Sequence, residues 1–195
     1  MNPDKNHKTN PTIRCFISIV LDEHTKRQIG RVQTAIRSTG IRAGWPSAQN
    51  FHLTLKFLGN ISEETLPCIK AKLSEAIADK ERFNITFNQL GVFPNPRHPK
   101  VIWIGSDKTD PELVTLQRDI DSKLSKCHPF VKEKRFSPHI TLSRVRNRIK
   151  PDILNKTLEI ETGSISIPVN QVHLIKSQLY SSGAVHSSLF CGNLK

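Results

Sequence analysis

Two short segments bring together residue types suited to proton transfer. Phe51-His52-Leu53-Thr54-Leu55 and Pro138-His139-Ile140-Thr141-Leu142 share the pattern His-apolar-Thr-apolar. Residues i and i+2 of a strand face the same side. Each segment, folded as a strand, therefore presents an imidazole beside a hydroxyl, with apolar side chains behind them. Opening a cyclic phosphodiester needs a base to take a proton from water and an acid to protonate the departing sugar oxygen. Histidine serves either role because its unperturbed pKa lies near 6.5. The two threonine hydroxyls can donate to the non-bridging oxygens, where charge is held in the transition state. This chemistry needs no metal, and the sequence displays no obvious carboxylate cluster to hold one.

The elements that must position these groups alternate between strand and helix. Arg14–Leu21 reads as a buried strand, Asp22 as a cap, and the chain to Ser38 as a helix with Ile29, Val32 and Ile36 on one face. Phe51–Leu58 is a strand whose strict alternation puts His52, Thr54 and Lys56 on one side. Ser62–Lys80 and Asp110–Lys126 have helical spacing, with Pro67 disturbing the first and Pro111 opening the second. Phe83–Phe93, Val101–Gly105 and Phe136–Val145 are strands, and Ile153–Leu158 is a short helix. Ile165–Val169, Val172–Leu179 and Val185–Cys191 complete the strands. Mixed order with many antiparallel neighbours predicts an α+β fold. Glycine-rich phosphate loops and the Gly-x-Ser-x-Gly elbow are missing, so nucleotide-cofactor and α/β-hydrolase chemistry lose their usual support.

Lysine and arginine number 29 against 17 acidic residues, a net charge of +12 in 195 residues. Such a surface favours polyanions, nucleic acid above all. No apolar run reaches the roughly 20 residues that span a bilayer, and residues 1–12 read as a loose polar tail before one domain over 13–195. Cys15, Cys68, Cys127 and Cys191 lie far apart, which predicts four reduced thiols and a cytoplasmic protein.

The two motifs and their flanks, Phe51-His-Leu-Thr-Leu-Lys-Phe-Leu-Gly59 and Phe136-Ser-Pro-His-Ile-Thr-Leu-Ser-Arg144, resemble those of the 2H phosphoesterases. The likeness extends over roughly residues 13–192 and points to the branch of bacterial and archaeal RNA 2′,3′-cyclic phosphodiesterases, also called 2′-5′ RNA ligases. It implies a bilobal fold, two related lobes of mainly antiparallel sheet with helices outside, around a central cleft. It implies cofactor-free hydrolysis of RNA 2′,3′-cyclic phosphate ends, or of nucleoside 2′,3′-cyclic phosphates, to 2′-phosphates. His52, Thr54, His139 and Thr141 would be the catalytic set, with His52 as acid and His139 as base. It also leaves open a ligase working in the joining direction. A non-catalytic RNA-binding module is the further alternative. In this sequence His186 stands where relatives commonly carry an aromatic residue.

Further substrate contacts are expected from six residues. Arg144 follows the second motif, although five residues of regular strand turn it away from His139. Phe51 and Phe136 flank the motifs and could stack a base. Lys56 would extend the positive cleft, and Arg97 and Lys100, with His98, sit on a proline-rich loop able to track an RNA backbone. Lys132, Lys134, Arg135, Arg144, Arg146, Arg148 and Lys150 form a basic run around the second motif. His24, His128 and His173 lack a threonine partner and read as structural or surface residues. A monomer is expected, without membrane or metal.

Overall fold

A computed structural model describes residues 11–130, 135–181 and 183–195. The chain runs β1 (Thr12–Val20), α1 (Glu23–Ser38), β2 (Ala43–Gly44), β3 (His52–Ser62), α2 (Leu66–Ile77), β4 (Phe83–Phe87) and β5 (Gln89–Phe93). It continues through β6 (Val101–Gly105), α3 (Pro111–Leu124), β7 (His139–Val145), α4 (Pro151–Leu158), β8 (Ile165–Val169), β9 (Gln171–Tyr180) and β10 (Gly183–Asn193). The fold is α+β, with antiparallel pairing between every neighbouring pair of described strands.

Local chemistry accounts for the helix starts. The Asp22 carboxylate accepts from the Thr25 amide at 2.7 Å, and Asp110 accepts from the Glu112 and Leu113 amides at 2.9 and 3.0 Å. Each cap satisfies donors that the first turn leaves open. Ile29 and Ile36 of α1, Ile69 and Leu73 of α2, and Leu113, Leu116 and Ile120 of α3 are buried, as their spacing predicts. Pro67 sits in the first turn of α2, where its missing N–H costs nothing, after a 3₁₀ turn at Glu63–Thr65.

The sheets reveal an internal duplication. One sheet has the order β10-β9-β1-β3, the other β2-β7-β6-β5, and β4 pairs with β8 separately. The units β1-α1-β3 and β6-α3-β7 match: strand, helix, then an antiparallel strand carrying a His-x-Thr motif. A further strand borders each unit: β9, from near the end of the chain, lies beside β1, and β5, the strand directly before β6, lies beside β6. Motif strands β3 and β7 touch where the two sheets meet.

Three expectations are corrected. Phe83–Phe93 is two strands in different sheets, not one. The buried positions run Ile85 and Phe87, then Leu90 and Val92, so the inward face changes parity at Asn88. Cys68 and Cys127 form a disulfide, Cα atoms 5.8 Å apart, because α2 packs on α3 and brings together residues 59 positions apart. Cys191 is an exposed thiol, while Cys15 is buried as expected. No described helix is long and apolar enough to cross a membrane.

Candidate active site

Each motif strand carries an extra residue at the same place, and β3 has a second one at Leu58. Along β3, Thr54 pairs with Ser18 and Lys56 with Ile17, so Leu55 has no partner. Along β7, Thr141 pairs with Trp103 and Ser143 with Ile102, so Leu142 has none. Both are β-bulges, which put two consecutive side chains against a single residue of the partner strand. Leu55 and Lys56 are accordingly both buried, as are Leu142 and Ser143. The next residues, Phe57 and Arg144, return to the exposed side.

The bulges reverse two sequence expectations. Lys56 leaves the site: its side chain is buried, pairs with Asp121 on α3 and lies 5.6 Å from the centre of the Phe130 ring. Arg144 joins the site, close enough to His52 for its charge to act on that imidazole. It is exposed and makes no ion pair with a described residue.

The histidines are held in the same way. His52 Nδ1 donates to the Asn50 carbonyl at 2.7 Å, and His139 Nδ1 donates to the Ser137 carbonyl at 2.8 Å. A carbonyl only accepts, so Nδ1 carries the hydrogen in both rings. That fixes the tautomer, with the hydrogen on Nδ1 and the lone pair on Nε2 of each ring.

Their surroundings differ. Phe16 stacks on His52 with centroids 4.7 Å apart, and His186 meets the His52 ring edge-on at 5.3 Å. Burial pushes the His52 pKa down to about 4; the bond to Asn50 opposes this, and the charges of His186, His139 and Arg144 add to it. Burial also lowers the pKa of His173 and His186. Around His139 stand Phe93, edge-on at 4.9 Å, and Trp103 at 6.3 Å. Gly91 is required there: a Cβ on it would lie 2.2 Å from the Trp103 indole.

A cavity of about 210 Å³ opens beside His52, bounded by Phe16, His173, Ile175, His186 and Ser188. His186 Nδ1 is buried and makes no hydrogen bond with a described residue. His173, expected to be structural, belongs to this wall, where Ser188 Oγ lies 3.1 Å from its Nδ1. Among the described residues no group of three or more His, Cys, Asp or Glu side chains is placed to hold a metal.

The remaining predicted residues divide. Phe51 is a core residue, 2 % exposed, that also borders the cavity beside His52, so little of its ring is open for the expected stacking. Phe136 is half-buried and packs on the core. Arg97, His98 and Lys100 are all exposed on the loop after β5, where the His98 amide donates to Asn95 Oδ1 at 3.1 Å. The Lys100 carbonyl accepts from the Val145 amide at 2.9 Å, beside Arg144. Lys132 and Lys134 lie outside the described residues. Sequence reasoning missed Phe16 and Phe57 and gave His186 no role at the site. Phe57 is 53 % exposed at the position matching Arg144, a placement that strict alternation conceals.

The model of the 2′-5′ RNA ligase superfamily matches residues 21–180. The chain belongs to this superfamily. A relative from Methanothermobacter thermautotrophicus named RNA 2′,3′-cyclic phosphodiesterase is 32 % identical over 182 residues, covering 91 % of this chain and 96 % of its own. One of the same name from Thermotoga maritima is 32 % identical over 179 residues, covering 91 % and 94 %. Among solved structures, E. coli LigT superposes with a TM-score of 0.78 at 22 % identity, covering 94 % of this chain and 98 % of that one. TT0787 of Thermus thermophilus gives 0.78 at 24 %, covering 93 % and 98 %. The superfamily's bilobal fold is thus the fold of this chain.

Proposed function

We propose that the protein hydrolyses RNA 2′,3′-cyclic phosphate ends to 2′-phosphates without a metal. The carrying observation is the mirrored pair: two bulged strands, each with a histidine whose Nδ1 is tied to a main-chain carbonyl, which puts the lone pair on Nε2. The curated relatives' shared name supports the same reaction, and a solved LigT structure is a complex with 3′-AMP.

In this reading His139 Nε2 takes a proton from water as the water oxygen bonds to phosphorus. The bond from phosphorus to the 3′-oxygen breaks, and His52 Nε2 delivers its proton to that oxygen. Thr54, Thr141 and Arg144 hold the non-bridging oxygens. Before substrate binds, His52 is neutral. An anionic phosphate beside it favours the charged ring, so the acid is loaded with substrate. Phe57 offers the exposed ring that Phe51 does not.

The same two proton transfers run backwards would join a cyclic end to a 5′-hydroxyl, and the superfamily's name favours keeping that direction as a second activity. A binding-only role has no use for two tautomer-locked histidines. An RNA-end substrate fits a monomer working in the cytoplasm; the Cys68–Cys127 pair would there be reduced by the thiol pool unless protected. Turnover of a nucleoside 2′,3′-cyclic phosphate in excess EDTA tests the proposal. Loss of activity restored by a divalent ion would overturn it.

A further inference from the structure

We infer that upstream RNA leaves the active site over the β2–β7 edge and seats a nucleotide in a second, cationic groove. This rests on the reaction proposed above. The groove has a volume of about 210 Å³ and lies between the turn after α1 and the turn before α4. Ile41, Ile149 and Ile153 give it an apolar lining, while Arg42, Arg148 and Lys150 supply charge. Apolar surface with converging cations fits a nucleotide, the base against isoleucine and the phosphates against the rim.

Strand β7 leads from the site towards the groove. It carries His139 at its start and Arg144 near its end, where the bulge returns Arg144 to the exposed side. Arg146 follows two residues later, roughly 7 Å further along an extended chain. Its amide bonds the Arg42 carbonyl, and the Val145 amide bonds the Lys100 carbonyl, so Lys100 and Arg42 flank the path. Arg42, Lys100, Arg144, Arg146, Arg148 and Lys150 are all exposed, and none makes an ion pair with a described residue. From Arg135 to Leu158 the chain has one carboxylate, Asp152. An RNA end held at the two histidines must carry its own strand away over some surface. This uncompensated band starts at the site, which favours RNA over an acidic polypeptide as its occupant.

The test uses a nucleoside 2′,3′-cyclic phosphate, an RNA octamer with the same cyclic end, and the full-length triple variant Arg42→Gln/Arg148→Gln/Lys150→Gln. Wild type should favour the octamer in kcat/KM by about tenfold or more. The variant should lose that preference while keeping mononucleotide turnover within about twofold. Its slope of log affinity against log salt for the octamer should be shallower by about 2, the value for three lost contacts to a single strand. An unchanged preference and slope in the variant, or no preference in wild type, would overturn the inference. If neither substrate turns over, the reaction is wrong, and fluorescence anisotropy of a 5′-labelled octamer ending in a plain phosphate decides the groove alone: equal binding to both proteins overturns it. Displacement of the octamer by polyglutamate of equal charge at equal concentration would reassign the band and overturn it too.

Discussion

Phe16 and His52 stack at 4.7 Å between centroids, their planes 27° from parallel. Phe16 lies on an inner strand of its sheet and His52 on the neighbouring edge strand, so the contact is part of the sheet itself. It takes one face of the imidazole out of water and thereby favours the neutral ring. Catalytic histidine and sheet packing are coupled in this pair.

A pH dependence of stability follows from that coupling. The folded pKa of His52, about 4, lies below the value of 6.5 for a free histidine. As pH falls from about 6.5 to 4, the unfolded chain takes up the proton first, and stability drops across that window. The whole shift corresponds to at most about 3–4 kcal/mol. His173 and His186, also lowered by burial, add to the same loss. Urea unfolding at several pH values should show this loss in wild type and a flatter profile in His52→Gln. Identical profiles would mean that His52 is solvated in solution.

Proton uptake should accompany ligand binding at pH 6. A nucleoside phosphate placed against His52 raises its pKa, and the ring takes a proton from solvent. Calorimetry in buffers of different ionisation enthalpy reads this directly. Wild type should take up a measurable fraction of a proton, and His52→Gln clearly less. Equal uptake in both would move the acid elsewhere.

His52→Ala and His139→Ala should each lower kcat by about 10²–10⁴, the range for a positioned acid or base. The double variant should lose less than the product, since the residues act as a unit. A substrate whose 3′-leaving group needs no proton should rescue His52→Ala and leave His139→Ala impaired; the opposite rescue would exchange their roles. Thr54→Ala and Thr141→Ala should cost about 10–10³-fold, and Thr→Ser less, because the hydroxyl donor remains.

Lys56 and Arg144 should part company. Arg144→Ala should reduce kcat/KM by about 10–10²-fold while the melting curve hardly moves, as expected for an exposed phosphate contact. Lys56→Met should keep kcat/KM near wild type and lower stability by about 1–3 kcal/mol, because the Asp121 carboxylate loses its partner. Thermal melts and steady-state kinetics on both variants separate the roles. A Lys56→Met enzyme that is stable but inactive would return Lys56 to the site.

Thiol counting checks the corrected cysteines. Protein unfolded without reductant should react with two equivalents of a thiol reagent, from Cys15 and Cys191, and four after reduction. Cys68→Ser should destabilise the oxidised protein by about 2–4 kcal/mol. Four equivalents without reductant would restore the reduced state expected from spacing.

The catalytic motifs, the class of chemistry and most elements were legible in the sequence, because each depends on short-range patterning. His52 with Thr54, and His139 with Thr141, share a face through two-residue periodicity alone. Helix starts at Asp22 and Asp110 follow from side chains within three residues. Which residues surround the histidines was not legible. Alternation carried through Leu55 and Leu142 puts Lys56 in the cleft and turns Arg144 away. One unpaired residue in each strand inverts both, and a bulge exists only relative to the neighbouring strand's register. Phe16 and His186 reach His52 from β1 and β10, and Cys68 meets Cys127 across α2 and α3. These contacts join distant segments, so they arise only when strands and helices pack. Periodicity therefore specified the reacting groups and a carbonyl two residues back set their tautomer, whereas packing set the charge state and company in which they work.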